Sequence, residues 1–189
     1  VAQRDAAAPD LGPVRRRAAA AAPERLSRHQ KLLDALWEHL PDAIVIGDAT
    51  EPAYQGLNGA EPPAPRRWWS CATGFGALGY ALPSAIGAKI ADPRRPVLAL
   101  IGAGGAMVTI PELAAAVEAG AHVVVLIWNN SGYGEIREAM RERGVKPESV
   151  DLSPVEFQPL ARGFGCAHAR VHGLSFLRDA LKKAVMRPA

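Results

Sequence analysis

From Leu26 to Leu40 the apolar residues Leu32, Leu33, Leu36, Trp37 and Leu40 return at three- and four-residue intervals, and Pro41-Asp42 ends the run. The spacing predicts a first helix behind Ser27 as its N-cap. The period then changes: Ala43-Ile44-Val45-Ile46-Gly47 is short, β-branched and unbroken by polar residues, which suits a buried parallel strand opening into a functional loop at Asp48 to Pro52. The same alternation repeats downstream. Helices are expected at about 74–91, 110–119, 135–143, 154–163 and 175–186, and strands at 97–101, 122–128 and 167–171. Strands alternating with helices of this length predict an α/β fold, a three-layer sandwich of one parallel sheet with helices on both faces. Residues 1–25, with their Ala runs and the Arg15 to Arg17 cluster, show no apolar period and are expected to be a flexible arm or linker. Residues 26–189 then form the folded domain.

Composition narrows the class. With 189 residues, 49% apolar and 22% charged, the chain can bury one core, and neither disorder nor a membrane protein fits. The net charge is only +3, and seven Lys/Arg against five Asp/Glu before Pro41 put most of that excess in the first segment. No nucleic-acid groove is implied. The longest apolar run, Val123 to Trp128, is strand length, so no membrane span is expected. Two distant cysteines, Cys71 and Cys166, exclude a disulfide framework or a four-Cys zinc site and read as buried apolar residues of a reduced, cytoplasmic protein.

In parallel sheets ligands bind beyond the carboxyl ends of strands, so three segments carry the chemistry: 48–52, 102–107 and 129–134. Gly102-Ala103-Gly104-Gly105-Ala106 follows a strand and leads toward a helix, where backbone N–H groups can approach a phosphate unobstructed. A tight turn uses glycine for steric reasons alone, so both readings stand at this point. Trp68, Trp69 and Trp128 read as packing residues. The histidines, His29 among them, show no metal spacing and receive no role, and Glu112 reads as a first-turn acid.

The run Trp128-Asn129-Asn130-Ser131-Gly132-Tyr133-Gly134 resembles the thiamine diphosphate enzymes of the 2-oxo acid decarboxylase and acetolactate synthase type. Their diphosphate motif is Gly-Asp-Gly, a helix and strand, then Asn-Asn; here Asn130 lies 27 and Gly132 29 residues after position 103, in the family's register. Ala72 to Ala88 resembles the segment lining the cofactor's aminopyrimidine. The resemblance runs from about Leu26 to the C-terminus, and its wording is closest to 5-guanidino-2-oxopentanoate decarboxylases. It implies a pyrophosphate-anchoring domain with thiamine diphosphate and Mg²⁺ as cofactors. At the diphosphate end it implies Thr50, Gly102, Ala103, Gly104, Gly105, Asn130, Gly132 and Tyr133, with Asn130 and the Gly132 carbonyl as metal ligands. At the pyrimidine end it implies Gly76, Ala77 and Leu78, Gly76 through its carbonyl and Leu78 as an apolar wedge. Glu135 would be the first acid to test against a guanidino substrate.

Two departures stand beside the match. Position 103, Asp in the family, is Ala, which removes the carboxylate Mg²⁺ prefers; Asp48 or Glu51 would have to compensate. The chain also has no room for the family's second domain, whose Glu protonates the pyrimidine. No catalytic residue is therefore expected in this chain itself, which would need a pyrimidine-binding partner domain or subunit, associate into an oligomer and act on a small 2-oxo acid. Either it is one subunit of a split enzyme or part of a longer chain. Two rivals remain: a non-catalytic scaffold or regulatory relic with a disabled metal site, and a dinucleotide-binding domain built on Gly102-x-Gly104. The second is disfavoured by Met107 at the third glycine position and by the lack of an acid about 20 residues on.

Overall fold

Along a strand successive side chains go to opposite faces, and in this chain helices cover both. The computed structural model describes residues 10–21, 24 and 28–186. Strands β1 (Ile44–Gly47), β2 (Trp68–Ser70), β3 (Val97–Gly102) and β4 (Val124–Trp128) form one sheet in the order β2-β1-β3-β4. All three pairings are parallel, with Val45 opposite Trp68 and Leu98, and Leu100 opposite Leu126. Val45, Leu98 and Leu100 point into one core, closed by α2 (Gln30–His39), α3 (Glu51–Gly59) and α9 (Leu174–Met186) through Leu33, Leu36, Ala53, Leu177 and Leu181. Ile46, Val97, Ala99 and Ile101 point into the other, closed by α4 (Ala81–Ala91), α5 (Ala103–Thr109) and α6 (Glu112–Glu118). Each fully buried aliphatic side chain contributes roughly 1.5–3 kcal/mol. The three-layer sandwich is thus the observed architecture.

Several boundaries differ from expectation, each for a physical reason. Within the expected arm, α1 (Gly12–Ala21) is helical, because alanine and arginine are strong helix formers even without an apolar stripe. Ser27 lies outside the described residues, and α2 starts after His29. The expected loop at 48–52 is cut short by α3, which Pro52 helps to begin. β2 carried too few residues for its alternation to register. The helix expected from Gly74 begins only at Ala81, because Gly76 and Gly79 take positive φ angles of 74° and 83° in the intervening loop. The helix expected at 110–119 is α6, which starts at Glu112 after Ile110-Pro111, while α5 is a further helix in the preceding segment. Beyond β4 lie α7 (Gly134–Glu142) and α8 (Phe157–Gly163).

The strand expected at 167–171 does not form. Cys166 packs against one core and Val171 against the other, but the segment makes no ladder of hydrogen bonds with β4. β4 remains half-buried along its length.

Candidate functional site

From β1 the chain crosses to β2 on one side, then returns past β1 to build β3 and β4 on the other. The connections from β1 and β3 therefore diverge, and such a switch point leaves a crevice beyond the strands' carboxyl ends. Asp48 stands at its base, fully buried. Its Oδ1 accepts from the backbone N–H of Ala49 at 2.9 Å and of Gly79 at 3.0 Å, and its Oδ2 from that of Ala81 at 2.8 Å. One carboxylate thus ties the end of β1 to the loop 74–80 and supplies the start of α4 with an acceptor from outside the helix.

The motif residues of three strands gather around this carboxylate. β3 runs straight into α5, so Gly102 to Ala106 is a strand end and first helical turn rather than the expected loop. A Cβ on Gly102 would lie 3.0 Å from Thr50 Oγ1, one on Gly104 2.5 Å from the Tyr133 ring, and one on Gly105 2.6 Å from Asp48 Oδ1. These glycines are needed because backbone and side chains meet there. The steric reason for glycine is therefore present. Ala103 is buried and brings no oxygen on its side chain.

The 129–134 segment folds over the crevice from β4. Asn129 Oδ1 accepts from Ser131 N at 3.1 Å in a tight turn. Gly132 pairs with Asp151 in an antiparallel bridge, and Tyr133 N donates to the Val150 carbonyl at 2.8 Å. Arg137 binds Asp151 at 2.5 Å and lies against Gly132. Asn130 instead turns inward, where a Cβ on Gly134 would meet its Nδ2 at 2.5 Å and Glu51 Oε1 at 3.0 Å. Glu135 follows in the first turn of α7, half-buried.

Glu51 and Asn130 share a cavity of about 460 Å³ with Arg28, His29, Trp128 and the start of α7. Arg28 Nη2 donates to Glu51 Oε2 at 3.2 Å, and Arg28 Nε donates to His29 Nε2 at 3.3 Å. His29 is buried with its ring edge-on to Trp128 at 4.8 Å. Burial lowers its pKa against the pull of Glu51, so the ring stays neutral and accepts from Arg28. A hollow of about 500 Å³ lined by Pro41, Asp42 and Pro96 lies at the opposite, amino-terminal ends of β1 and β3, away from every motif.

Gly76, Ala77 and Leu78 lie apart from the buried cluster, on an exposed loop held to the rim through Gly79. Thr109 Oγ1 donates to the Gly79 carbonyl at 3.1 Å, which pins the loop to α5. Trp68 packs edge-on against Trp37 at 6.0 Å, as a packing residue should. Sequence reasoning missed the Arg28–His29–Glu51 group. An acid directly after an apolar strand is a signal for Asp48, but nothing in spacing brings residue 28 to residue 51.

Whether the donors suit a divalent cation is decided by their chemistry. Asp48 spends both oxygens on backbone N–H groups and does not compensate for Ala103. Glu51 offers an oxygen beside Asn130 while Arg28 holds its other one. The Asn130 atom beside Glu51 Oε1 is the amide nitrogen, which offers no lone pair, and Arg28 and Arg137 line the same cavity, so the side chains gathered here do not fit a divalent cation.

The family described as thiamine pyrophosphate enzyme, C-terminal TPP binding domain, matches residues 49–189. The "Probable 2-ketoarginine decarboxylase AruI" of Pseudomonas aeruginosa is 42% identical over 156 residues, covering 82% of this chain and 28% of that protein. The acetolactate synthase large subunit of Lactococcus lactis is 35% identical over 112 residues, covering 58% of this chain and 19% of that protein. Among solved structures, the Rhodococcus jostii thiamine diphosphate-dependent 4-hydroxybenzoylformate decarboxylase superposes with a TM-score of 0.76 at 28% identity, covering 84% of this chain and 30% of that one. The chain thus spans less than a third of the length of these relatives.

Proposed function

The chain belongs to the thiamine pyrophosphate enzymes as their C-terminal TPP-binding domain, and on that premise we propose that it anchors thiamine diphosphate for a decarboxylase or carboligase acting on a 2-oxo acid. The observation that carries this reading is the convergence of Thr50, Gly102 to Gly105 and Asn130 to Gly134 on one switch-point crevice, with the loop 74–78 tethered to its rim through Asp48. When bound, the cofactor supplies a nucleophilic carbon and an electron sink for loss of CO₂. The buried turn at Gly104 and Gly105 receives the diphosphate, with Thr50 and Tyr133 walling it. Gly76 and Leu78 present the pyrimidine end at the surface, where a pyrimidine-binding domain, in this or another polypeptide, covers it and brings the catalytic Glu. Glu135, at the start of α7, faces the substrate.

Both cysteines are free thiols, which suits a reducing, cytoplasmic setting. Among the described residues no helix is long and apolar enough to cross a membrane. One relative is named for decarboxylating 2-ketoarginine and another for synthesising acetolactate; of these, a guanidino substrate is the one that Glu135 suits.

Calorimetric titration tests the anchoring role. Thiamine diphosphate should bind and thiamine, which lacks the diphosphate, should not; equal binding of the two, or binding of neither, would overturn it. A non-catalytic scaffold is the second reading, favoured by Ala103 at the position of the family's metal-binding carboxylate.

A further inference from the structure

We propose that residues 149–152 are a strap that holds the turn at Gly132 and Tyr133 in the shape the site requires, with Asp151 and Arg137 as its positioning residues. The inference rests on the reading of this chain as a diphosphate-anchoring domain and deepens it by naming what fixes one wall of that site.

The wall is the Tyr133 ring, so close to Gly104 that a Cβ there would meet it at 2.5 Å. The backbone carrying this ring is bonded to a distant part of the chain. Tyr133 N donates to the Val150 carbonyl at 2.8 Å, Leu152 N donates to the Ser131 carbonyl at 3.0 Å, and Gly132 pairs antiparallel with Asp151. These bonds close a loop that contains the whole of α7. Closing a loop costs chain entropy, so its base must be held by specific contacts. Val150 is one of them: it is buried between exposed Ser149 and Asp151, a single anchor in a stretch otherwise open to solvent. Ser131 and Ser149 take left-handed φ angles of 55° and 58°, which a non-glycine residue keeps only where its surroundings fix it.

Arg137 joins the strap to α7. Its side chain is 19% exposed against 78% for Asp151, so the guanidinium is held in the fold and the carboxylate comes to it from the surface. Nη2 binds Asp151 Oδ1, while the buried Nε has no hydrogen-bond partner. An unpaired buried donor is costly, so the placement of Arg137 is explained by what its tip reaches. That tip lies against Gly132, where a Cβ would run into both Nη2 and the Val150 carbonyl. Glycine at 132 thus lets strap, guanidinium and turn meet. An ion pair with one exposed partner contributes little to stability, so its loss should be read in the geometry of the turn and not in the melt.

The test measures thiamine diphosphate affinity by calorimetry and amide hydrogen exchange at Tyr133 and Leu152. It compares the parent chain with Asp151→Ala, Asp151→Glu, Arg137→Gln, the Asp151→Ala and Arg137→Gln double variant, and Glu148→Ala. Glu148 pairs with Lys146 on the exposed part of the same segment and serves as the control. Asp151→Ala and Arg137→Gln should each quicken exchange at both amides and weaken binding about threefold or more, while thermal melts stay within about 4 °C of the parent. The double variant should be no worse than either single change, because both remove one interaction. Asp151→Glu, which keeps the carboxylate, should recover most of the loss, and Glu148→Ala should behave as the parent. Parent-like exchange and affinity in Asp151→Ala would overturn the proposal. So would an equal loss in Glu148→Ala, or a loss that follows a lowered melt and is not recovered by Asp151→Glu. If the parent itself does not bind the cofactor, the anchoring role falls and the strap's part in it falls too; the exchange measurement, which needs no cofactor, tells the two failures apart.

Discussion

At the scale of single residues, Asp48 does more for the site than any motif glycine. It is buried and accepts from three N–H groups on two separate segments, and hydrogen bonds to a charged acceptor contribute about 1.5–3 kcal/mol each. Asp48→Ala should therefore destabilise the chain by several kcal/mol, about 3 or more, in urea unfolding, with the loop 74–80 losing its hydrogen-exchange protection first. Gly104→Ala drives a methyl group into the Tyr133 ring and should cost about 1–3 kcal/mol. Tyr133→Ala in the same chain should recover part of that loss, since it removes the atoms that clash. Burial and the nearby Asp48 charge raise the Cys71 thiol to about 11, and burial also raises the Tyr54 phenol. Both groups are held neutral in the fold and ionise more readily once unfolded. The stability that Cys71 contributes is present below about pH 9 and is lost as pH climbs toward 11, and that of Tyr54 is lost only above its ordinary value, which a series of thermal melts would show. Cys71 should also resist alkylation at pH 8 in the folded chain, because its thiolate is scarce and covered.

At the scale of elements, helical periodicity identified α2, and the structure buries its apolar stripe against Val45, Leu98 and Leu100. Leu36→Ala, in the middle of that stripe and fully buried, should cost about 2–5 kcal/mol on chemical denaturation. Strand β3 was equally legible, because six consecutive buried residues admit few other conformations. Short elements were not. β2 has three residues and is defined by pairing with β1, a contact that local sequence does not contain. The expected strand at 167–171 fails for the same reason: its residues suit a strand locally and pack on the cores, but a strand exists only through pairing, and this segment does not pair with β4. The glycines of 102–105 lie where backbone and side chains come close, and α5 begins among them at Ala103, where a loop was expected.

At the scale of the whole molecule, the described chain leaves apolar surface where the proposed partner domain would sit. Phe75 is fully exposed and Leu78 partly so, on a loop whose Gly79 abuts Val108 and Thr109 of α5, and Met107 and Val108 are exposed as well. Exposed apolar patches of this kind mark interaction surfaces. Phe75→Ser with Val108→Ser should leave the unfolding free energy within about 0.5 kcal/mol per site while weakening association, which analytical ultracentrifugation over a concentration series would measure. The sequence by itself determined the α/β layering, the two apolar faces of β3 and the motif spacing that places this chain among thiamine pyrophosphate enzymes. These are set by local periodicity and by glycines that only a close approach demands. Tertiary structure alone decided what each carboxylate meets: Asp48 and Glu51 stand three positions apart, yet one accepts from backbone N–H groups of residues 79 and 81 while the other pairs with Arg28 beside Asn130. That difference arises from what packs around each side chain after folding, and contacts between residues so distant in the chain leave no trace in its pattern of polar and apolar positions.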